Sequence, residues 1–357
     1  MTDTRRLWSN AVTRLEPYVP GEQPKAQRLI KLNTNENAFP PSSAVHQALT
    51  AGEVDRLRLY PDPNSQALVD TIAAHFGVEA NQVFVGNGSD EVLAHAFYAF
   101  FQQPEPLLYP DISYSFYPVY CNLYGIAANP IPLREDFSLV LNDYSTPNGG
   151  IIFPNPNAPT GMALGLAEIR ALLVRNRDSV VLVDEAYVDF GAESAVSLIN
   201  EFDNLLVVQT TSKSRSLAGL RLGYALGNPG LIEALVRVKN SFNSYPIDRL
   251  AEVAAVAAFK DDEYFKYTCQ QVINTRAYTV AELQQLDFEL LPSKANFVFA
   301  KPTRQSAKAV FEALRARSII VRYFDKPRIG DYLRISIGAQ SDMEALISAL
   351  KEILATN

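Results

Sequence analysis

The sequence predicts an α/β fold in which a mainly parallel sheet is flanked by helices, followed by a smaller α+β region. Short apolar, β-branched segments alternate with helical segments between about residues 65 and 243, the pattern of repeated strand–helix–strand units. After about residue 246, long helices precede the strands instead. The chain has 357 residues, 48% of them hydrophobic, which is enough to bury a large core.

Three segments follow from this pattern. Residues 1–45 are rich in proline, asparagine and charge and are predicted to be an arm that also joins the small domain. Residues 46–245 form the large domain, with predicted helices Ala67–Phe76 and Pro229–Asn243 and strands Gln82–Val85, Pro106–Tyr109, Gly150–Phe153, Val180–Asp184, Leu205–Gln209 and Arg221–Leu226. Residues 246–357 form the small domain, with predicted helices Asp248–Phe259, Asp262–Leu286 and Ser341–Ala355 and strands Phe297–Ala300, Ile319–Arg322 and Tyr332–Ile337.

Composition disfavours several functional classes. The net charge of -7 argues against a nucleic-acid partner, because phosphate backbones repel an acidic surface. Cys121 and Cys269 stand far apart, so neither a disulfide scaffold nor a zinc site is expected. The three histidines have no metal-type spacing. No apolar run is long enough to cross a bilayer, and the polar start lacks a signal-peptide core. We therefore expect a cytoplasmic protein with no membrane partner.

A glycine-rich segment follows the first predicted strand. Gly86–Glu91 opens a helix. Glycines let backbone approach a ligand closely, and free N–H groups at a helix N-terminus favour an anion. The segment is interpreted as a phosphate site, with the alternative that Ser89 or Asp90 only caps the helix.

Two charged residues follow other predicted strands, where ligands bind in open α/β sheets. Asp184 ends an apolar strand, where a carboxylate is costly unless a ligand needs its charge or it caps the next helix. Lys213 follows the next strand between hydroxyl side chains, with Arg221 eight positions later. A lone lysine is usually solvated, but this one falls where the sheet pattern predicts a cleft. The segment Asn155–Gly161 by itself predicts only a turn.

Taken in order, these motifs resemble those of fold type I pyridoxal-phosphate (PLP) enzymes of the aspartate aminotransferase kind. Over residues 86–223 the shared motifs are GNGSDE, the tyrosine segment PDISYSFY, NPNAPTG, DEAY and SKSRSLAGLR. Leu32–Asn37 and Leu333–Gly338 extend the likeness over nearly the whole chain, and these parts look most like histidinol-phosphate aminotransferases. The resemblance implies a fold type I PLP transferase with a large PLP-binding domain.

The resemblance also implies a role for each matching residue. Lys213 matches the Schiff-base lysine, which would carry the cofactor and later move a proton. Asp184 matches the acid paired with the pyridine nitrogen, and Tyr187 matches the phenol that hydrogen-bonds the cofactor O3′. Tyr114 matches the aromatic stacked on the ring, unless it is one more core tyrosine. The residues implied to hold the 5′-phosphate are Ser89, Asp90, Ser212 and Arg221.

Two positions bear on the cofactor less directly. Many relatives carry an asparagine that bonds O3′ directly before Pro-Thr-Gly, and this chain has Ala158 there. Asn157 is predicted to replace it, with Asn155 as the alternative. Tyr60 matches a tyrosine that reaches the phosphate of the other subunit, which would make the active unit a homodimer with shared sites.

For the substrate, the resemblance implies histidinol phosphate, with 2-oxoglutarate as amino acceptor, in histidine biosynthesis. Arg334 matches an arginine that grips the substrate carboxylate. A second arginine, Arg322, would suit a phosphate dianion unless it is solvated, and Tyr18 of the arm could close over the substrate. The alternatives are an aromatic amino-acid aminotransferase and a PLP-dependent decarboxylase of phosphorylated threonine. A PLP-binding regulator without turnover is disfavoured, because such proteins typically append a DNA-binding module for which the arm leaves no room.

Overall fold

A computed structural model of the protein describes residues 4–19, 22 and 29–355. Its strands are β1 (Ile30–Lys31), β2 (Val83–Gly86), β3 (Leu107–Pro110), β4 (Ala128–Ile131), β5 (Gly150–Pro154), β6 (Val181–Asp184), β7 (Leu205–Thr210), β8 (Gly223–Gly227), β9 (Phe288–Leu290), β10 (Phe297–Pro302), β11 (Ile319–Ile320), β12 (Arg322–Tyr323) and β13 (Leu333–Ser336). Its α-helices are α1 (Ser43–Ala48), α2 (Ala51–Asp55), α3 (Gln66–Phe76), α4 (Gly88–Phe100), α5 (Tyr117–Tyr124), α6 (Leu166–Arg175), α7 (Pro229–Phe242), α8 (Arg249–Lys260), α9 (Asp262–Gln285), α10 (Ala307–Ala316) and α11 (Gln340–Ala355).

Seven strands form one large sheet in the order β2-β8-β7-β6-β5-β3-β4. Strand β8 runs antiparallel to both neighbours, and the pairs from β7 to β4 are parallel. Strands β5, β6 and β7 are buried along their whole length, as expected where helices cover both faces. The predicted mainly parallel α/β sheet is confirmed. The carboxyl ends of β2, β3, β5, β6 and β7 therefore lie at one edge.

The side chains of β6 alternate between two core layers, one on each face of the sheet, and this alternation sets the direction of Asp184 at the end of the strand. Val181 and Val183 pack in the layer that contains α3, α6 and α8, whereas Leu182 packs in the layer that contains α4, α5 and α7. Side chains alternate between the faces of a strand, so Asp184 points to the same face as Leu182. This places the carboxylate beside α5.

A second, four-stranded antiparallel sheet follows, in the order β12-β13-β10-β9. Helices α9, α10 and α11 pack on it around a separate core that includes Leu32 of the arm. The arm strand β1 pairs in parallel with β11. The single predicted strand Ile319–Arg322 is wrong, because Ile319–Ile320 pairs with the arm and Arg322–Tyr323 pairs with β13. The domain boundaries at residues 45 and 245 stay predictions.

Strand β4 was not predicted, and its composition explains why. Ala128, Asn129 and Pro130 are exposed and only Ile131 is buried. It lies at the edge of the large sheet, where a proline is tolerated because its missing N–H faces away from the ladder. An edge strand of this kind has no apolar alternation for sequence analysis to detect.

The long helices agree with the predicted bounds to within a few residues. Helix α3 ends at Phe76 and is capped by Gly77, whose left-handed φ of 67° is common just after a helix. The longest helix, α9, has 24 residues. In the described ranges, no helix combines the length and apolar character needed to cross a membrane.

Candidate active site

A cleft of about 1150 Å³ opens at the carboxyl edge of the large sheet, between that sheet, the small sheet and the arm. Among the described residues, seven cationic and four acidic side chains line it. The cations are Arg14, Lys213, Arg221, Arg322, Lys326, Arg328 and Arg334, and the acids are Glu16, Asp90, Asp111 and Asp184. The cleft is thus locally cationic in a chain of net charge -7, so it suits an anionic ligand.

The floor of the cleft at β2 is formed by the N-terminus of α4. Gly88 has a φ of 81°, and a Cβ there would lie 2.8 Å from Nη2 of Arg221. A Cβ on Gly223 would lie 2.3 Å from the backbone nitrogen of Ser89. Both positions therefore require glycine. The first-turn N–H groups of α4, including those of Ser89 and Asp90, stay available to an anion.

Arg221 and Ser212 lie beside this helix terminus. Nη2 of Arg221 donates to Oδ2 of Asp90 at 3.1 Å. The Thr210 hydroxyl donates to Oγ of Ser212 at 3.0 Å, and the Ser212 N–H donates to Oγ1 of Thr210 at 3.1 Å. The structure thus brings together the four residues predicted to hold a phosphate.

Asp184 is a nearly buried carboxylate, with 5% of its surface exposed. Its Oδ2 accepts a hydrogen bond from the Tyr117 hydroxyl at 3.0 Å, and its Oδ1 accepts the Ala186 N–H at 3.3 Å. Burial raises the pKa of Asp184 to about 6, and these two donors only partly offset that rise. A cationic N–H in the cleft would stabilise the charged form.

Lys213 lies on the loop after β7. Its Nζ donates to the backbone oxygen of Thr34 at 3.3 Å and lies 5.7 Å from the ring centroid of Tyr187. The backbone oxygen of Lys213 accepts from Nδ2 of Asn37 at 2.9 Å. The arm therefore holds the lysine loop at two points.

Tyr187 follows β6 by one turn. Its hydroxyl oxygen accepts a hydrogen bond from Nδ2 of Asn35 at 3.1 Å. Its ring meets Phe297 of β10 edge-on, at 5.1 Å and 90° between the planes. The phenol is thus fixed by the arm on one side and by the small sheet on the other.

Tyr114 and Tyr18 form an aromatic wall of the cleft. The Tyr114 hydroxyl donates to Oδ1 of Asp90 at 2.9 Å, and burial together with the Asp90 charge raises its pKa. Its ring meets Tyr117 edge-on at 5.7 Å. Tyr18 lies 4.6 Å from Phe116 and 6.5 Å from Tyr114, measured between ring centroids. The arm tyrosine therefore lines the cleft beside the tyrosine segment.

The two candidate asparagines of the NPNAPTG loop bond within their own surroundings. Nδ2 of Asn157 donates to the Ile112 oxygen at 3.1 Å and to Oγ1 of Thr160 at 3.0 Å. Asn155 exchanges two hydrogen bonds with the backbone of Leu164. Neither asparagine lines the cleft, whereas Ala158 does. The predicted contact from Asn157 to the cofactor stays a prediction.

Arg322 and Arg334 stand directly opposite each other on β12 and β13. Nη2 of Arg334 donates to the Asn33 oxygen at 2.9 Å, and its buried Nε has no partner among the described residues. Both guanidinium groups lie over the ring of Phe324, at 5.3 and 5.6 Å. Burial and the neighbouring Arg322 charge lower the pKa of Arg334. Two adjacent cations of this kind favour a dianion between them.

Tyr60 does not line the cleft. It is 80% exposed, and its ring is 4.9 Å from that of Tyr245. Leu57, Leu59 and Phe242 are exposed too.

Sequence reasoning missed several residues that the fold brings to the site. Tyr117 stood inside the tyrosine segment without a role, and Asn33, Thr34 and Asn35 appeared only as a shared arm motif. Arg328 pairs with Asp111 at 3.1 Å at the mouth of the cleft. Only the stretch of shared arm residues could have signalled these contacts, because partners such as Asn35 and Tyr187 are 152 positions apart.

Comparison with known proteins relates this chain to one family. The family described as "Aminotransferase class I and II" matches residues 27–353. Histidinol-phosphate aminotransferase 1 of Pseudomonas fluorescens is 59% identical over 348 residues, covering 98% of this chain and 99% of that protein. Histidinol-phosphate aminotransferase 1 of Methylococcus capsulatus is also 59% identical over 348 residues, covering 98% of each.

A solved structure extends the comparison to the fold. The histidinol-phosphate aminotransferase from Sinorhizobium meliloti, in complex with pyridoxal-5'-phosphate, superposes with a TM-score of 0.87 at 22% identity and covers 98% of both chains. At that identity the likeness concerns the fold. From the family match and the close relatives together, this chain belongs to the class I and II aminotransferases.

Proposed function

We propose that this protein is a PLP-dependent aminotransferase that transfers the amino group of histidinol phosphate to 2-oxoglutarate, in histidine biosynthesis and in the cytoplasm. The observation that best supports histidinol phosphate as the substrate is the 59% identity, over 98% of the chain, to histidinol-phosphate aminotransferases. The paired arginines of the cleft support it independently, since they suit a phosphate.

The residues of the cleft fit PLP at three points. Gly88 and Gly223 leave a cradle at the N-terminus of α4 that a Cβ would fill, and Arg221 adjoins it. Asp184 has no cationic partner within the part of the chain that the structure describes, and the protonated pyridine nitrogen of PLP would be one. When bound, PLP supplies an aldehyde that condenses with an amine and a ring that withdraws electrons.

Each protein group then has a defined task. Lys213 would hold the cofactor through its amine, and once released that amine would move the proton between the substrate Cα and the cofactor C4′. Asp184 keeps the pyridine nitrogen protonated. Tyr187 donates to O3′, and Tyr114 covers the ring face. Ser89, Asp90, Ser212 and Arg221 hold the 5′-phosphate.

The substrate phosphate is proposed to bind between Arg322 and Arg334, with Tyr18 closing over it. Arg334 is held by the Asn33 oxygen and leaves its Nε free. A phosphate dianion matches two neighbouring guanidinium groups better than the single carboxylate of an aromatic amino acid does, which disfavours the aromatic aminotransferase alternative.

The active unit is proposed to be a homodimer. Tyr60 and Tyr245 form an exposed aromatic pair, close to the exposed Leu57, Leu59 and Phe242. Burying such a surface against a second copy would remove it from water and carry Tyr60 to the partner's phosphate site. Sedimentation of the purified protein tests this, and a monomer at micromolar concentration would contradict it.

The function is tested by a substrate panel read from the cofactor's absorbance in single half-reactions. Histidinol phosphate should convert the cofactor, and 2-oxoglutarate should restore it with release of glutamate. Phenylalanine and threonine phosphate are the comparison substrates, the latter with carbon dioxide as readout. A higher catalytic efficiency for phenylalanine, or carbon dioxide without any keto acid, would reject the proposed reaction.

A further inference from the structure

We propose that Asn35 is a positioning residue that directs the hydroxyl proton of Tyr187 into the cleft, toward the cofactor O3′. Asn35, Ser336 and Tyr187 form a chain of hydrogen bonds, here termed the Asn35 relay. The identity of the acceptor, the cofactor O3′, depends on the proposed function. The assignment of donors and acceptors within the Asn35 relay depends only on contacts within the protein.

The direction of the relay follows from its donors and acceptors. Oγ of Ser336 accepts the backbone N–H of Asn35 at 2.9 Å, so its own proton is free to reach Oδ1 of Asn35 at 2.8 Å. The amide oxygen of Asn35 is thereby assigned to Ser336. Its Nδ2 must then face Tyr187, where the separation is 3.1 Å. An amide nitrogen only donates, so the phenol oxygen is the acceptor and its proton points elsewhere.

The relay is held rigidly. Asn35 is 1% exposed and Ser336 is 3% exposed. The φ of Asn35 is 55°, in the left-handed region that asparagine tolerates better than most residues. Its backbone oxygen accepts from Nδ2 of Asn296 at 3.0 Å. With both backbone groups and both amide ends bonded, the Asn35 side chain cannot rotate away without breaking buried hydrogen bonds.

None of the charged groups near Tyr187 accepts its hydroxyl proton, which is left to point into the cleft. The charged groups near the phenol are Lys213, whose Nζ lies 5.7 Å from the ring, Arg334, which is in electrostatic range, and Asp184, three positions earlier. Lysine and arginine have no acceptor, and among the described residues the phenol bonds Asn35 whereas Asp184 bonds Tyr117 and Ala186. A ligand oxygen in the cleft is therefore the acceptor that the geometry provides.

Ala158 makes the proposed hydrogen bond from Tyr187 to the cofactor O3′ more important. Its methyl group lines the cleft and cannot donate to O3′, while the amide of Asn157 bonds Ile112 and Thr160. Tyr187 is then the principal donor to that oxygen. A hydrogen-bond donor stabilises negative charge on O3′ most when the nearby Lys213 nitrogen, through which the cofactor would be held, has lost its proton. The donor therefore lowers the pH at which that nitrogen loses its proton in the resting protein.

The test is a double-mutant cycle on the resting, cofactor-loaded protein, read as the pH midpoint of the cofactor's absorbance change. Asn35→Asp keeps the shape and tolerates the left-handed φ, but its carboxylate accepts and would draw the Tyr187 proton away. We expect the midpoint to rise by about one pH unit, as for Tyr187→Phe. In the Tyr187→Phe background, Asn35→Asp should add much less.

A neutral variant separates hydrogen bonding from charge. Asn35→Gly keeps the backbone conformation and adds no charge, so a smaller rise in the same direction is expected, with a similar one for Ser336→Ala. Thermal unfolding and the Kd for PLP are recorded for every variant. Equal shifts from Asn35→Asp with and without the Tyr187 hydroxyl, or no shift at all, would overturn the relay.

Failure of the relay and failure of the proposed function give different results. If the purified protein neither binds PLP nor shows its absorbance, the proposed function and the relay are both rejected. If PLP binds and Tyr187→Phe raises the midpoint, while Asn35→Asp and Asn35→Gly match the wild type, only the relay is rejected.

Discussion

Asp184 and Glu185 are consecutive acids at the end of β6, and they serve opposite faces of the sheet. Both are almost fully buried, with 5% and 2% exposure, and burial raises the pKa of Asp184 to about 6 and that of Glu185 to about 7. Glu185 accepts from the Ser194 hydroxyl at 2.6 Å, the Ala195 N–H at 2.6 Å and Nε2 of Gln209 at 2.8 Å.

Their partners separate a structural acid from a functional one. Asp184 has two donors from the protein and lines the cleft, whereas Glu185 has three and does not. A raised pKa alone would have pointed to both residues. The unfilled hydrogen-bonding capacity of Asp184, on the side open to a ligand, is what distinguishes it.

The largest expected difference between the two acids is in catalysis, and it is tested by removing the charge of Asp184. Asp184→Asn should lower kcat/KM by about a thousandfold, because an ion pair at 4 Å in an effective dielectric of 20 is worth about 4 kcal/mol. Steady-state kinetics with histidinol phosphate measure this. Glu185→Gln is the matched control and should keep kcat/KM within a few-fold. Equal losses in both variants would show that the two acids do not differ in role.

The next effect concerns pH and the protein without cofactor. The folded pKa of Asp184 lies above its ordinary value of 3.8, so between about pH 4 and 6 the folded state holds a proton that the unfolded state has lost. Stability should therefore fall as pH rises through that range, by about 3 kcal/mol from this group. Denaturant unfolding at several pH values measures it.

Cofactor loading and Asp184→Asn are the controls for this pH effect. Both should remove the contribution of Asp184, one by pairing the carboxylate with a cation and the other by removing its charge. The part due to Glu185 should persist in both. A cofactor-free wild type whose stability changes between pH 4 and 6 in the same way as that of Asp184→Asn would contradict the assignment.

A smaller effect concerns the contribution of Glu185 to the stability of the fold. Glu185→Gln puts an amide NH2 where donors point at the carboxyl group, so the free energy of unfolding should fall by about 2 kcal/mol at pH 5, where the folded-state carboxyl is protonated and the substitution removes no charge. Urea denaturation monitored by circular dichroism measures it. The Kd for PLP should stay unchanged, and a weakened affinity would assign Glu185 to the site instead.

The smallest effect tests the donor to Asp184. Tyr117→Phe removes the hydroxyl that favours the charged carboxylate, so the Kd for PLP should rise about fivefold to tenfold, which corresponds to about 1 kcal/mol. Tyr144→Phe is the matched control, because that buried hydroxyl has no partner among the described residues. Fluorescence titration with PLP reads both, and equal changes would reject the role of Tyr117.

The sequence by itself determined the large sheet and the order of its motifs. Short apolar, β-branched runs such as Leu205–Val208 predict buried strands. Asp184 directly follows such a run, and Lys213 lies a few residues beyond another. Local signals of this kind depend only on neighbours in the chain. The edge strand β4 and the division of Ile319–Arg322 escaped prediction because exposed or two-residue strands leave no local pattern.

Only the tertiary structure decided which side chains meet across the cleft. Asn35 bonds Tyr187 and Ser336, and Arg334 faces Arg322, because β1 pairs with β11 and β12 pairs with β13. The same holds for Tyr117 and Asp184, which are 67 positions apart. Hydrogen-bond direction and charge balance are properties of atoms brought together from distant segments, so no local pattern of residues could have specified them.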